Sequence, residues 1–119
     1  MNEGLMFALV AAVLAYEHGI GVRNGCFCAH PYILHLLGLT PEEAHQVRER
    51  MLGGDRSEMP GLVRASFGLY NSTADVDALV EALTHISRHE YQGRYTQERA
   101  SGDYKPTGWQ PQFDQYFAL

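Results

Sequence analysis

A chain of 119 residues accommodates one compact domain that buries roughly 65% of the surface its unfolded form exposes, and it leaves no room for a second. With 45% hydrophobic and 19% charged residues the composition is that of an ordinary globular protein. The net charge of −5 argues against a phosphate-rich partner, so no nucleic acid is expected.

The apolar run Leu5 to Tyr16 imitates a signal sequence, but Glu3 precedes it and no Lys or Arg does, where a signal peptide needs positive charge. It is also well short of the about 20 residues that cross a bilayer, so a buried helix is expected and no membrane partner. Residues 5 to 17 form that helix, closed by His18 and Gly19 in the manner of a basic last turn followed by a C′ glycine. It is apolar nearly all round, so other elements must cover several of its faces. Ile20-Gly21-Val22 reads as a short strand leading into the loop Arg23 to Cys28, and Pro31 suits the first turn of a helix running through Leu37 to Gly38.

Thr40-Pro41-Glu42-Glu43 carries a threonine N-cap, proline at the first helical position and a glutamate that completes a capping box, so a helix runs from there to about Leu52. The glycine-rich stretch Gly53 to Gly61 is a surface connector or part of an entrance to a site. Leu62 to Tyr70 alternates, with Val63, Ala65, Phe67 and Leu69 on the core face and Arg64 pointing away, the period of a half-buried strand. Val76, Leu79, Val80, Leu83 and Ile86 recur at helical spacing, which predicts an amphipathic helix over 74–88. From Glu90 the chain holds seven of its thirteen aromatic residues among Gly, Gln and Pro with neither period, and an arm is expected that packs on something rather than a domain.

Chemistry concentrates in the loop. Cys28 is a candidate nucleophile, since Arg23 and the N-terminus of the helix beginning near His30-Pro31 would both favour a thiolate; a small buried cysteine is the plain alternative. Cys26, Cys28, His30 and His35 are also possible zinc ligands, but no second cysteine cluster exists to complete a structural site, so no metal is expected. Two cysteines one residue apart do not easily bond to each other, because a disulfide suits Cα atoms about 5.5 Å apart on separate backbone, and a reducing, cytoplasmic setting follows. Arg64 suits recognition of a planar carboxylate through two parallel donors. His18, His45, His85 and His89 stand at no catalytic spacing.

The segment Gly19-Ile20-Gly21-Val22-Arg23-Asn24-Gly25-Cys26-Phe27-Cys28-Ala29, followed by Val63-Arg64-Ala65-Ser66-Phe67-Gly68-Leu69-Tyr70-Asn71 and Asp75 to Val80, resembles the C-terminal small domain of class V aminotransferases, including the cysteine desulfurases. Gly-Cys-Phe-Cys is similar also to the cysteine loop of molybdenum cofactor sulfurases. The resemblance covers roughly residues 5 to 88. It implies a pyridoxal 5′-phosphate enzyme acting on an amino acid, with Cys28 as the cysteine that attacks the substrate sulfur and carries it as a persulfide. It further implies Arg64 as the arginine holding the substrate carboxylate, Arg23 as a loop arginine shaping the site, and Gly25 as its turn. Cys26 and His30 complete the site loop.

That family links its cofactor to a lysine in the large domain, whereas the one lysine here, Lys105, lies in the arm in a Gly-Asp-Tyr-Lys-Pro setting and is rejected for that role. The chain is therefore expected to be the C-terminal part of a longer enzyme, inactive by itself, with the missing large domain as a partner. The 40–61 insert is longer than in housekeeping desulfurases. The implied fold is α/β (α+β), a small mainly antiparallel sheet with helices packed on one face, as in the small domain of fold-type I pyridoxal-phosphate enzymes. Residues 1–89 would form that domain, incomplete at its N-terminus, and 90–119 the arm. A missing first strand would leave a sheet edge open to pairing in a homodimer. The rival reading is a non-catalytic interaction module of the same fold.

Overall fold

Because residues 7–18 are apolar on every side, their helix becomes the axis around which the remaining elements gather. The computed structural model describes residues 6–117. The axis is α1 (Phe7–His18), followed by β1 (Arg23–Gly25), α2 (His30–Leu36), α3 (Pro41–Leu52), β2 (Leu62–Arg64), α4 (Thr73–Ser87), β3 (Tyr95–Gln97) and β4 (Tyr104–Pro106). Leu5, expected at the start of α1, lies outside the described residues. α1 touches α4, β1, β2 and β4. Its Val13 and Leu14 are fully buried against Ala82 and Ile86 of α4, and burying a side chain such as Leu14 contributes about 1.5–3 kcal/mol. Ala8, Ala11 and Ala12 of the same helix are also buried.

The helix boundaries follow the local signals. Gly19 closes α1 at φ 65°, in the left-handed region that glycine enters without a Cβ penalty. Thr40 and Glu43 form the expected capping box of α3, with the Glu43 carboxylate accepting from the Thr40 amide at 2.8 Å. α4 begins with a second box, between Ser72 and Asp75.

The arrangement is α+β, as expected, and its strands are all antiparallel, but they form two separate ribbons, β1–β2 and β3–β4. Three expectations need correction. The strand anticipated at Ile20-Gly21-Val22 starts three residues later, because Ile20 and Val22 pack against the core and ladder pairing begins only at Arg23, opposite Arg64. The strand anticipated over 62–70 stops at Arg64, because the antiparallel register would set the following residues opposite Val22 and Gly21, where the chain has left the ladder and Val22 packs against the core, so the rest of the alternation has no partner. Phe67 and Leu69 are therefore exposed, and the Asn71 side chain turns the chain by accepting from the Gly68 amide at 2.7 Å. The third correction concerns the arm, which contains the β3–β4 hairpin.

That hairpin packs on α1, partly meeting the expectation for the aromatic residues: Tyr16 meets Trp109 edge-on at 5.5 Å and Tyr95 at 6.4 Å. The Glu17 carboxylate accepts hydrogen bonds from the Gln92 and Gly93 amides (3.0 and 2.8 Å) and from the Tyr95 hydroxyl (2.9 Å). Desolvation pushes the Glu17 pKa up, but these three donors and the neighbouring His18 outweigh it and hold the carboxyl below its ordinary value of 4.5. Burial, then the Glu17 contact, pushes the Tyr95 hydroxyl far above its usual range.

The chain exposes 9117 Å², against roughly 6,450 Å² for a compact protein of its mass. Its radius of gyration is 16.2 Å, against roughly 13.5 Å for a compact chain of this length. The exposed side chains include the apolar α4 stripe Val76, Val80 and Leu83 and, in the segment before α4, Phe67, Leu69 and Tyr70. Among the described residues, β1 and β2 pair only with each other, so both outer edges of their ribbon stay open, and no helix is long and apolar enough to cross a membrane.

Candidate functional site

The β1–β2 register sets Arg23 directly opposite Arg64, with Asn24 opposite Val63 and Gly25 opposite Leu62. Directly opposed residues of an antiparallel pair project from the same face, so two guanidiniums stand side by side. Phe27 serves both: the Arg64 guanidinium carbon lies 5.0 Å and that of Arg23 6.0 Å from its ring centroid. At an exposed site each such contact contributes about 0.5–1 kcal/mol. The ion pairs among the described residues involve neither arginine. Two adjacent cations on one face, with an aromatic ring between them, favour an anion, and a carboxylate matches the parallel donors of a guanidinium.

The loop's backbone displays the cysteines unequally. Buried Gly25 at φ 116° bends the chain out of β1. Phe27 and Cys28 follow at φ 53° and 59°, and the Ala29 amide donates to the Cys26 carbonyl at 2.8 Å. Positive φ at both central positions is the signature of a type I′ turn, and each non-glycine residue held there costs about 1–2 kcal/mol. Cys28 stands exposed at this turn while Cys26 is half-buried, and both thiols are free. Exposed Cys28 is open to a substrate, and its neighbour in the turn, Phe27, lies against both arginines.

α2 follows the turn directly, its seven residues making two turns; Ala29 offers no side-chain cap, and its amide is the one that donates to Cys26. His30 is exposed on α2 and lines a cleft between α2 and α3. Among the described residues no three His, Cys, Asp or Glu side chains gather as a metal centre, so the alternation of Cys26, Cys28 and His30 along the chain does not converge in space. His85 is paired with Glu90 at 2.9 Å.

Lys105 lies on β4, in the hairpin, with its ammonium 3.3 Å from Glu98. It stands on the other ribbon from Cys28 and Arg64, and a group already paired at the surface offers no buried, desolvated amine for linkage to a cofactor. The one lysine of the chain thus does not fit the anchoring of a cofactor through its amine. Two features escaped the sequence reading. Phe27 as a platform for both arginines had only its place between the cysteines as a signal, and the α2–α3 cleft was hinted at solely by the glycine-rich 53–61 loop, which does line it through Arg56 and Pro60.

Comparison with known proteins covers this same region. The profile of the family described as "Aminotransferase class-V" matches residues 3–79, about two thirds of the chain. "Molybdenum cofactor sulfurase 2" of Aedes aegypti is 38% identical over 78 residues, covering 60% of this chain and 10% of that protein. "Molybdenum cofactor sulfurase" of Drosophila willistoni is 34% identical over 105 residues, covering 80% of this chain and 13% of that protein. A protein of Streptomyces coelicolor described as "Probable cysteine desulfurase" is 36% identical over 70 residues, 59% of this chain and 12% of that protein. The chain thus spans roughly a tenth of the length of these relatives. No solved structure matches.

Proposed function

The chain belongs to the class V aminotransferase family, and from that premise we propose that it is the substrate-binding and sulfur-accepting part of a pyridoxal-phosphate-dependent cysteine desulfurase-like enzyme. The observation that carries this reading is the facing pair Arg23 and Arg64, joined by Phe27, whose neighbour in the turn is the exposed Cys28. Arg64, and with it Arg23, would grip the carboxylate of an amino acid. Cys28 would take up the sulfur. Its thiolate attacks the side-chain sulfur of the bound substrate; an S–S bond forms, the C–S bond breaks, and the electron pair of that bond goes to carbon, which gains a proton. Persulfide and desulfurated amino acid result, with no external oxidant. Pyridoxal phosphate, when bound, supplies the electron sink that makes carbon accept that pair. This chain's residues bind the carboxylate and hold the thiol; the cofactor lysine would belong to a large domain, so the isolated chain would be inactive.

The excess surface supports this division. The roughly 2,700 Å² beyond a compact protein's area is of the order that one partner buries in an obligate interface, and the α4 stripe offers the apolar part of it. Residues 1–89 would then be the small domain and 90–119 the arm. The open ribbon edge would support a homodimer, and the free thiols fit a reducing, cytoplasmic compartment.

The test is sulfide release from cysteine by the complete enzyme in the presence of a thiol reductant. Cys28→Ala should lower the rate at least a hundredfold and Cys26→Ala only a few-fold. Undiminished sulfide release after Cys28→Ala would overturn the assignment; amino-acid turnover without sulfide release would make the enzyme a transaminase or lyase. A second reading, a non-catalytic interaction module, draws on the same exposed apolar surface together with the surface-paired Lys105. A native gene product of this length that binds no cofactor would favour it.

A further inference from the structure

The cleft between α2 and α3 includes neither Arg23, Cys28 nor Arg64 in its lining and has a chemistry of its own. It encloses about 640 Å³, lined by Leu34 of α2, by Val47, Arg48 and Met51 of α3, and by Arg56 of the following loop. That volume falls within the roughly 300–1,000 Å³ of small-molecule sites. α3 contributes no buried residue to the core; its half-buried positions Ala44, Val47 and Met51 form a stripe that lines this cleft instead.

The polar lining is basic throughout: Arg48, Arg56, His30 and His45, with no acidic residue among them. Of the acids on α3 and the following loop, Glu42 and Glu49 do not line the cleft, and three others are engaged. Glu58 pairs with Arg50, Asp55 accepts from the Ser57 amide at 2.9 Å and hydroxyl at 2.6 Å, and Glu43 caps α3. The ion pairs among the described residues include neither Arg48 nor Arg56.

One rim is also held in place from outside. The Arg56 amide donates to the Arg99 carbonyl at 2.8 Å, and the Gln97 side chain donates to the Ser57 carbonyl at 2.9 Å, so the hairpin of the arm fixes the backbone that carries Arg56.

We propose that this cleft binds a small anionic amphiphile, whose apolar body lies on Leu34, Val47 and Met51 and whose phosphate or carboxylate is held by Arg48 and Arg56. The site is separate from the amino-acid site and does not depend on the desulfurase reading. A guanidinium pair matches either anion through parallel hydrogen bonds, and the apolar floor gives the remainder of the ligand a surface to bury.

The test is isothermal titration calorimetry of 1-naphthyl phosphate and 1-naphthoate, side by side, into the complete polypeptide that carries this chain, saturated with pyridoxal phosphate to fill any cofactor phosphate pocket. One or both should bind once per chain, the tighter identifying the preferred anion. Neutral 1-naphthol should bind at least tenfold more weakly, the double variant Arg48→Gln/Arg56→Gln should lose at least tenfold in affinity, and Ala44→Trp should block the cleft. Arg64→Gln should leave probe binding unchanged. The glutamine variants are surface changes that keep the fold, so the proposal stays testable if Ala44→Trp misfolds. Absence of binding up to millimolar probe, equal affinity for 1-naphthol, or binding lost with Arg64→Gln but kept in the double variant would overturn it.

Discussion

Gly102 couples the arm to the rest of the molecule, and its replacement by alanine tests that coupling. The residue is buried at φ +83°, and a Cβ built on it would lie 2.7 Å from the Arg56 carbonyl oxygen. Left-handed backbone costs an alanine about 1–2 kcal/mol, and relieving a contact that close to main chain costs about 1–3 kcal/mol more. Gly102→Ala should thus destabilise by about 2–5 kcal/mol. Gly108 provides the control: its φ is +79° with nothing within 4 Å of the added atom, so Gly108→Ala should cost only the backbone part, about 1–2 kcal/mol. The difference between the variants isolates the close approach. Urea titration reads the totals, and amide exchange at Arg56, whose N–H donates to Arg99, reads the location. Exchange there should quicken at least tenfold in Gly102→Ala, since tenfold corresponds to about 1.4 kcal/mol of local stability, and stay unchanged in Gly108→Ala. Equal destabilisation by both, or undisturbed Arg56 exchange in Gly102→Ala, would refute the argument that the hairpin braces the cleft.

Glu17→Gln should loosen the same hairpin at its other attachment, exposing 92–106 to limited proteolysis at pH 7. Because the folded pKa of Glu17 is lowered, its stabilisation is fully present above its ordinary value of 4.5 and is lost as pH falls through the folded value, so the wild-type hairpin should loosen below pH 4.5 and the variant show no such step. A pH-independent proteolysis pattern in the wild type would contradict this. Arg64→Lys keeps the charge but not the parallel donors, and should raise KM for the amino acid about tenfold with kcat little changed in steady-state assays of the complete enzyme; an unaltered KM would remove Arg64 from carboxylate binding. Leu83→Glu, on the exposed stripe of α4, should change the chain's own stability by no more than about 0.5 kcal/mol while reducing its self-association in dynamic light scattering. A wild-type chain that stays monomeric at high concentration would count against the unpartnered face.

Elements whose causes lie within a few residues were legible in the sequence. Thr40 meets Glu43 and Ser72 meets Asp75 three positions away, Gly19 ends α1 by its own backbone freedom, and α4 declares its core face through Leu79 and Ile86. The family, too, was legible, because its motifs are short and contiguous around Gly25-Cys26-Phe27-Cys28 and Val63-Arg64. What depended on partners distant in the chain was not. The alternation of 62–70 specified a face without specifying a neighbour, and only β1, three residues long, was there to pair with it. The aromatic arm showed no period because its order comes from Glu17, some 75 residues earlier, and from the 55–57 loop. The candidate site divides in the same way. Sequence named Arg23, Cys28 and Arg64, but the meeting of the two arginines on one face, the role of Phe27 between their guanidiniums and the place of His30 in the α2–α3 cleft were set by strand register and turn geometry, which arise only when separate stretches of chain pack together.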